Sequence, residues 1–421
     1  MNKLEKYSSY KDSGINWVGN LPSHWKLVRI KHLFEISKKY SKDKKPNVLS
    51  LTQKGIVERD ISNNEGQLAQ SYVGYNIIEK DDIVFNPMDL IAGYVAKSKY
   101  NGVISHAYTT LKSLKKIDLN FYEHYFQNWY HQGVLFHLGK GVSTDNRWTL
   151  NNNSLMNLVI PIVPIDESNK IVNYISAKTA QIDEVISQKQ KLIELLKEQK
   201  QIVINDAVTK GLDKDVEFVD SGVEWIGKIP KHWKLLANKY VFNLKKNLVG
   251  KKSNEYDLLS LTLEGIIKRD LDKGGKFPAE FDTYQEVKKG DFVFCLFDVE
   301  ETPRTVGLSK YDGMITGAYT VFSVKNINKE YLYYFYLNLD SKKRLKPLYT
   351  GLRNTISKDN FFSFKSFIPP KNEQIKIAEY IENQTTKIDK AIELQQNYIL
   401  KLKEYKASLI DSVVTGKVRV A

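Results

Sequence analysis

The chain is written twice, and that repetition limits what it can fold into more than any other feature. Asp12-Ser13-Gly14-Ile15-Asn16-Trp17-Val18-Gly19 returns as Asp220-Ser221-Gly222-Val223-Glu224-Trp225-Ile226-Gly227. Leu21-Pro22-Ser23-His24-Trp25-Lys26-Leu27 returns at the same offset of 208 as Ile229-Pro230-Lys231-His232-Trp233-Lys234-Leu235. Further pairs follow in order: Leu49–Thr52 with Leu259–Thr262, Arg59-Asp60 with Arg269-Asp270, Asp82–Phe85 with Asp291–Phe294, and Ala107–Thr109 with Ala318–Thr320. Late in each copy Lys178–Asp183 matches Gln384–Asp389 at an offset of 206, the small drift that loop insertions produce.

Each copy has two parts. The first mixes short β-branched and aromatic runs with Gly, Asn and Asp turns; Leu49–Thr52, Ile83–Phe85 and Tyr108–Leu111 read as strands. Phe121 to Phe136 and Glu330 to Leu339 read as aromatic-rich helices. A proline signal closes each first part, at Pro161-Ile162-Val163-Pro164 and Pro369-Pro370. The second part is a long helix, about Glu167–Ala207 and Glu373–Val413, free of Pro and Gly. The expected division is therefore a first head over 1–165, a helix over 166–212, a second head over 213–371 and a helix over 372–421. The fold class is α+β.

Both helices carry a heptad. Ile175, Ile182, Lys189, Leu196 and Val203 lie seven apart, with Val185 and Leu192 three residues after their partners. The second copy gives Ile381, Ile388, Gln395, Leu402 and Leu409, flanked by Ala391 and Tyr398. Lys189 and Gln395 are polar at one shared position, where they either fix register or snorkel to solvent. Forty helical residues make a rod of about 60 Å. Equivalent units in one chain favour pseudo-two-fold closure, which makes the rods antiparallel, brings the termini together and gives a caliper with two heads.

Lys and Arg outnumber Asp and Glu by 63 to 49, a net charge of +14. Such an excess points to a polyanion, nucleic acid first, unless the whole proteome is basic. The lone Cys295 sits in an apolar run and reads as a structural, buried thiol. With no apolar signal core and no run of eighteen apolar residues, the expectation is a soluble, cytoplasmic protein without membrane contact.

Catalytic motifs are not found. Asn86-Pro87-Met88-Asp89 lacks the second proline and the aromatic of an adenine methyltransferase and reads as a turn. Gly139-Lys140-Gly141 is too short to cradle a triphosphate. His124, His131 and His137 have no twins in the second copy, so a surface or DNA-facing helix is preferred to a zinc site. Asp298, Glu300 and Glu301 read as a solvated loop rather than a magnesium site. No metal is expected.

Two heads opening Asp-Ser-Gly…Trp…Gly…Pro…His-Trp, joined to two long helices, resemble the specificity subunit of type I restriction–modification enzymes. The passage Ile368-Pro369-Pro370-Lys371-Asn372-Glu373-Gln374-Ile375-Lys376-Ile377-Ala378 is similar to the family's Pro-Pro…Glu-Gln…Ile-Ala helix start, whereas the first copy has Asp166-Glu167-Ser168 there. The resemblance implies that each head is a target-recognition domain reading half of a split duplex DNA site. It also implies that the rods space the halves and bind two methyltransferase subunits, which motor-nuclease subunits can join. S-adenosylmethionine, ATP and Mg then belong to partner subunits, and this chain binds no cofactor. A self-contained methyltransferase or nuclease, or a coiled-coil scaffold without DNA, are the competing readings.

Readers of base edges should be Arg, Lys, Asn, Gln, Ser or Thr on glycine-containing loops. Lys140, Ser143, Thr144, Asn146 and Arg147 form one such string, and Arg353 with Asn354 follow Gly351 at the corresponding place. Lys342, Lys343, Arg344 and Lys346 look like a phosphate-facing stripe or a solvated helix end. Trp17, Trp25, Trp225 and Trp233 are expected in head cores or between head and rod.

Overall fold

The computed structural model describes residues 5–43, 45–61, 69–141, 148–223, 226–270, 280–350 and 354–420. By contact the chain divides into two units, residues 1–189 with 397–421 and residues 190–396. Each unit therefore holds one head and stretches of both long helices.

In the first unit, Tyr10–Asp12 pairs with Asn20–Pro22, and Lys26–Arg29 then pairs with Val159–Ile162. That second pairing zips the head's way in beside its way out, so the exit strand feeds the long helix Ile165–Lys210 directly. The centre is a four-stranded antiparallel sheet in the order Phe34–Ile36, Thr109–Ser113, Ile83–Phe85, Val95–Lys97. Successive side chains of a strand face opposite ways. Ile83 and Phe85 accordingly enter the main core, while Val84 enters a smaller one with Leu49, Ile56, Ile78, Ala96 and Ile104. Both faces are covered, which explains the unbroken apolar run.

The aromatic helix covers the main face. It spans Leu119–His131, capped by the Asp118 carboxylate on the amides of Asn120 and Phe121. Phe126 packs on Phe85 with ring centres 5.0 Å apart. The helix stops earlier than the expected Phe136: Gly133 takes φ +67°, and a separate turn follows over Val134–His137.

The second unit repeats this plan. Phe218–Asp220 pairs with Lys228–Pro230, Lys234–Ala237 pairs with Lys365–Ile368, and the sheet runs Phe242–Leu244, Thr320–Val324, Phe292–Phe294, Val306–Leu308. Its aromatic helix is Lys329–Ser341 and its long helix Lys371–Val414. A left-handed glycine follows each long helix, Gly211 at φ +73° and Gly416 at φ +74°.

Within each unit the two long helices run antiparallel. In the first, the Lys406 ammonium meets the Asp183 carboxylate at 2.6 Å, and Lys189 lies 4.6 Å from the centre of the Tyr398 ring. Rising along one helix thus means falling along the other. In the second, Lys200 meets Asp389 at 2.7 Å, and Ile204, Ala207 and Val208 share a core with Ile377, Ala378 and Ile381. The termini come together as expected: the Arg419 amide donates to the Glu5 carbonyl at 2.7 Å, and the Tyr10 hydroxyl to the Lys417 carbonyl at 3.0 Å.

The heptad holds, with one correction to its flanks. Ile175, Ile182, Ile381, Ile388 and Leu409 are buried, and Lys189, Leu196, Val203, Gln395 and Leu402 half-buried. The companions, however, lie four residues on, not three: Ile193 and Ile399 are buried, whereas Val185, Leu192 and Tyr398 are exposed. A step of four residues turns about 40° past a full revolution, a step of three about 60° short of one, so the seam can take only one of the two neighbours. Ile193→Gln is expected to cost about 2 kcal/mol or more and Leu192→Gln less than about 0.5 kcal/mol in urea melts. Equal losses would put the seam back at the third residue.

Candidate nucleic-acid interface and the helix clamp

The repeated His-Trp word has a structural job. The buried Trp25 indole donates to Glu167 Oε1 at 3.1 Å, and His24 Nε2 lies 2.7 Å from Glu167 Oε2. Trp233 and His232 hold Glu373 in the same way, at 3.0 and 2.8 Å. Each carboxylate sits in the first turn of a long helix, where its charge also suits the helix dipole. One word near the start of each head therefore grips the helix that leaves it. Glu167 occupies the place of Glu373, so the first copy keeps the Glu of the Glu-Gln pair and replaces the Gln with Ser168. There the Ser168 hydroxyl donates to the Ile165 carbonyl at 2.9 Å, whereas Gln374 bonds both the Asn328 amide and the Pro369 carbonyl at 2.8 Å.

Three loops meet at one end of each head. In the first, Gln53 of the turn between Leu49–Thr52 and Gly55–Glu58 donates to the Ala92 carbonyl of the loop 86–94. That loop in turn accepts the Leu150 amide through the Pro87 carbonyl at 2.9 Å. Leu150 follows a β-bridge between Lys140 and Thr149, the base of the third loop. In the second head, Arg304 donates to the Leu263 carbonyl at 2.9 Å, the Asp298 amide to the Asn354 carbonyl at 3.0 Å, and the Ile356 amide to the Leu296 carbonyl at 2.7 Å. The third loop there closes a short hairpin, Tyr349–Thr350 with Thr355–Ile356.

The chain is similar to known proteins over nearly its whole length. Residues 22–195 match the family described as type I restriction modification DNA specificity domain. A type I restriction enzyme MjaVIII specificity subunit of Methanocaldococcus jannaschii is 24% identical across 98% of this chain and 97% of its own. The putative MjaX specificity subunit of the same organism is 23% identical over 96% of each chain. Over nearly its whole length the chain is thus similar to type I specificity subunits.

Solved structures agree on the fold of the family. A chain from work on the assembly and conformational transition of a type I R-M system superposes with a TM-score of 0.69 at 14% identity, covering 94% of this chain and 98% of that one. The HsdS subunit from Thermoanaerobacter tengcongensis gives 0.54 at 14% identity and the same coverage.

The candidate base-contacting residues named from the sequence scatter in setting. Lys140 is exposed at the base of the third loop, its backbone paired both ways with Thr149. Ser143, Thr144, Asn146, Arg147 and Arg353 lie outside the described residues. Asn354 is exposed at the second hairpin's turn, with φ +46°. The basic stripe is less free than its sequence implies. The Lys343 ammonium donates to Asp340 Oδ1 at 2.8 Å and to the Thr302 carbonyl at 2.7 Å, and Lys346 pairs with Glu300. Partial burial lowers the pKa of Arg344. What sequence reasoning missed is the loop 86–94 itself, set aside as a turn. Asn86 Oδ1 does cap the Met88 and Asp89 amides, and Asp89 Oδ1 those of Ile91 and Ala92.

Of the tryptophans, Trp25 and Trp233 are in head–helix contact as expected, Trp17 is exposed, and Trp225 lies outside the described residues. Burial lowers the pKa of His124, while His131 and His137 face solvent. Among the described residues no group of His, Cys, Asp or Glu could hold a metal ion, and no helix is long and apolar enough to cross a membrane. Cys295 is buried, its thiol 3.2 Å from the Phe297 carbonyl and its pKa raised by burial.

Proposed function

We propose that this chain is the address-reading subunit of a type I restriction–modification complex. Each head reads one half of a bipartite duplex site, and the long helices carry two methyltransferase subunits, which motor-nuclease subunits join. The observation that carries this reading is the full-length match of a twice-written chain to type I specificity subunits. The net charge of +14 suits a polyanion. The three-loop end offers the exposed Lys54 and Lys140 in the first head and the exposed amide of Asn354 in the second, the chemistry that contacts phosphates and base edges.

On this reading the chain performs no reaction itself; partner subunits bring S-adenosylmethionine, ATP and Mg. Incubated alone with labelled S-adenosylmethionine and DNA, it is expected to transfer no methyl group, and activity should return when methyltransferase subunits are added. Transfer by the purified chain alone would favour the self-contained enzyme instead. Affinity of the assembled complex for its site should fall about a thousandfold or more between 50 and 200 mM salt if six or more phosphates are contacted. A flat salt response in filter binding would argue against that electrostatic contact.

A further inference from the structure

Resting on the reading just given, we infer that Ile91 in the first head and Leu263 in the second are specificity-determining residues that contact thymine methyl groups in the major groove. Single exposed aliphatic side chains are ordinary on protein surfaces. These two are set apart by place. At 69% and 64% accessible they are the most exposed large hydrophobic side chains among the described residues. Both stand on the three-loop end of their head.

They arrive there by different routes. Ile91 belongs to the loop 86–94, and Leu263 to the turn between Leu259–Thr262 and Gly265–Lys268. In the first head the matching turn position is the polar Gln53, which is spent on tying down the loop that carries Ile91. In the second head the roles reverse: Arg304, from the loop, ties down the Leu263 carbonyl. Each head thus raises an exposed aliphatic side chain and uses a polar side chain of the neighbouring loop to hold the segment that carries it. Inherited packing would repeat the same position in both copies. Two unlike positions delivering the same chemistry to the same end fit a selected contact better.

The loops are stiff enough to present these side chains. Asp89 Oδ1 accepts the Ile91 amide at 3.1 Å, and the preceding Leu90 is buried in the core. Around Leu263, the Thr262 hydroxyl bonds the Gly265 carbonyl at 3.0 Å and accepts the Glu264 amide at 3.2 Å, with Gly265 at φ +100°. Around Ile91 the surroundings suit duplex DNA: Lys54 and Lys140 stand exposed on the adjoining loops of the first head. In the major groove only thymine offers an apolar group, its methyl, which an aliphatic side chain can cover.

The test uses the complete complex with its methyltransferase subunits, on duplexes in which each thymine of the recognised site is replaced singly by uracil, which lacks only the methyl. Wild type is expected to lose about fourfold in kcat/KM at one thymine of each half-site, the worth of one buried methyl-sized group. Ile91→Ser should lose a similar factor on the thymine duplex and nothing further when that one thymine of one half-site becomes uracil. Leu263→Ser should do the same for the other half-site only. Both positions face solvent, so unchanged melting temperatures control for folding. The inference is overturned if either variant matches wild type, if the loss is equal on every duplex including unrelated sequence, or if uracil costs wild type nothing. A wild-type complex that methylates without any bipartite preference would instead bring down the address-reading function itself.

Discussion

Trp25→Ala is expected to lower the stability of the first unit by about 3–5 kcal/mol, the usual cost of emptying a buried tryptophan site. The indole is fully buried, edge-on to Phe121 at 6.1 Å and to Tyr7 at 6.2 Å. A Cβ at Gly416 would meet it at 3.0 Å, so the end of the second long helix also leans on this ring. Removing the ring strands Glu167 as well, whose carboxylate loses the indole donor. Trp233→Ala should act alike on the second unit through Glu373 and Tyr331. Glu167→Ala is the milder change, about 1–3 kcal/mol for a buried indole N–H left without its acceptor, and Glu167→Gln should recover most of it. Hydrogen exchange resolved by peptide is the suitable measurement, since it reports each unit separately where one melting temperature would mix them. Protection lost evenly over both units in either tryptophan variant would contradict a clamp that is local to its own head.

The clamp also marks how far the sequence could be read. The duplication, the order of head and helix, the antiparallel run inside each unit and the meeting of the termini follow from repeated words and hydrophobic period, and all are present. The partner of the His-Trp word was not legible, because Glu167 lies 142 residues from Trp25 and only folding joins them. The seam's flanks were ambiguous for a simpler reason. Leu192 and Ile193 are adjacent and equally apolar, so composition cannot choose between them. At Gly133 a continuous aromatic pattern concealed a break that needs only one left-handed residue. The candidate loops were chosen by residue type, which says where base contacts can be made but not which side chains the fold has already committed.

Lys343 is the clearest case of such commitment, and it leads to Asp340→Ala, expected to cost the second head about 3–5 kcal/mol by breaking a buried charge pair. Asp340 is 2% exposed and accepts from the Thr305 amide at 3.1 Å, the Thr305 hydroxyl at 2.7 Å and the Lys343 ammonium at 2.8 Å. It is the twelfth residue of the helix Lys329–Ser341. The twelfth residue of Leu119–His131 in the first head is Tyr130, whose hydroxyl donates to the Asn86 carbonyl at 2.6 Å. One helix position thus pins the same loop in both heads, by donating to its start in one and accepting from its end in the other. Tyr130→Phe should therefore cost only about 1 kcal/mol, a neutral hydrogen bond, whereas Asp340→Ala takes the acceptor from the Thr305 amide and the only carboxylate partner described for the Lys343 ammonium. In cells carrying the whole system, Asp340→Ala should relax methylation at one half-site and leave the other intact, with faster exchange over 295–305. Relaxation at both half-sites, or none with the exchange unchanged, would show that this carboxylate does not hold the loop.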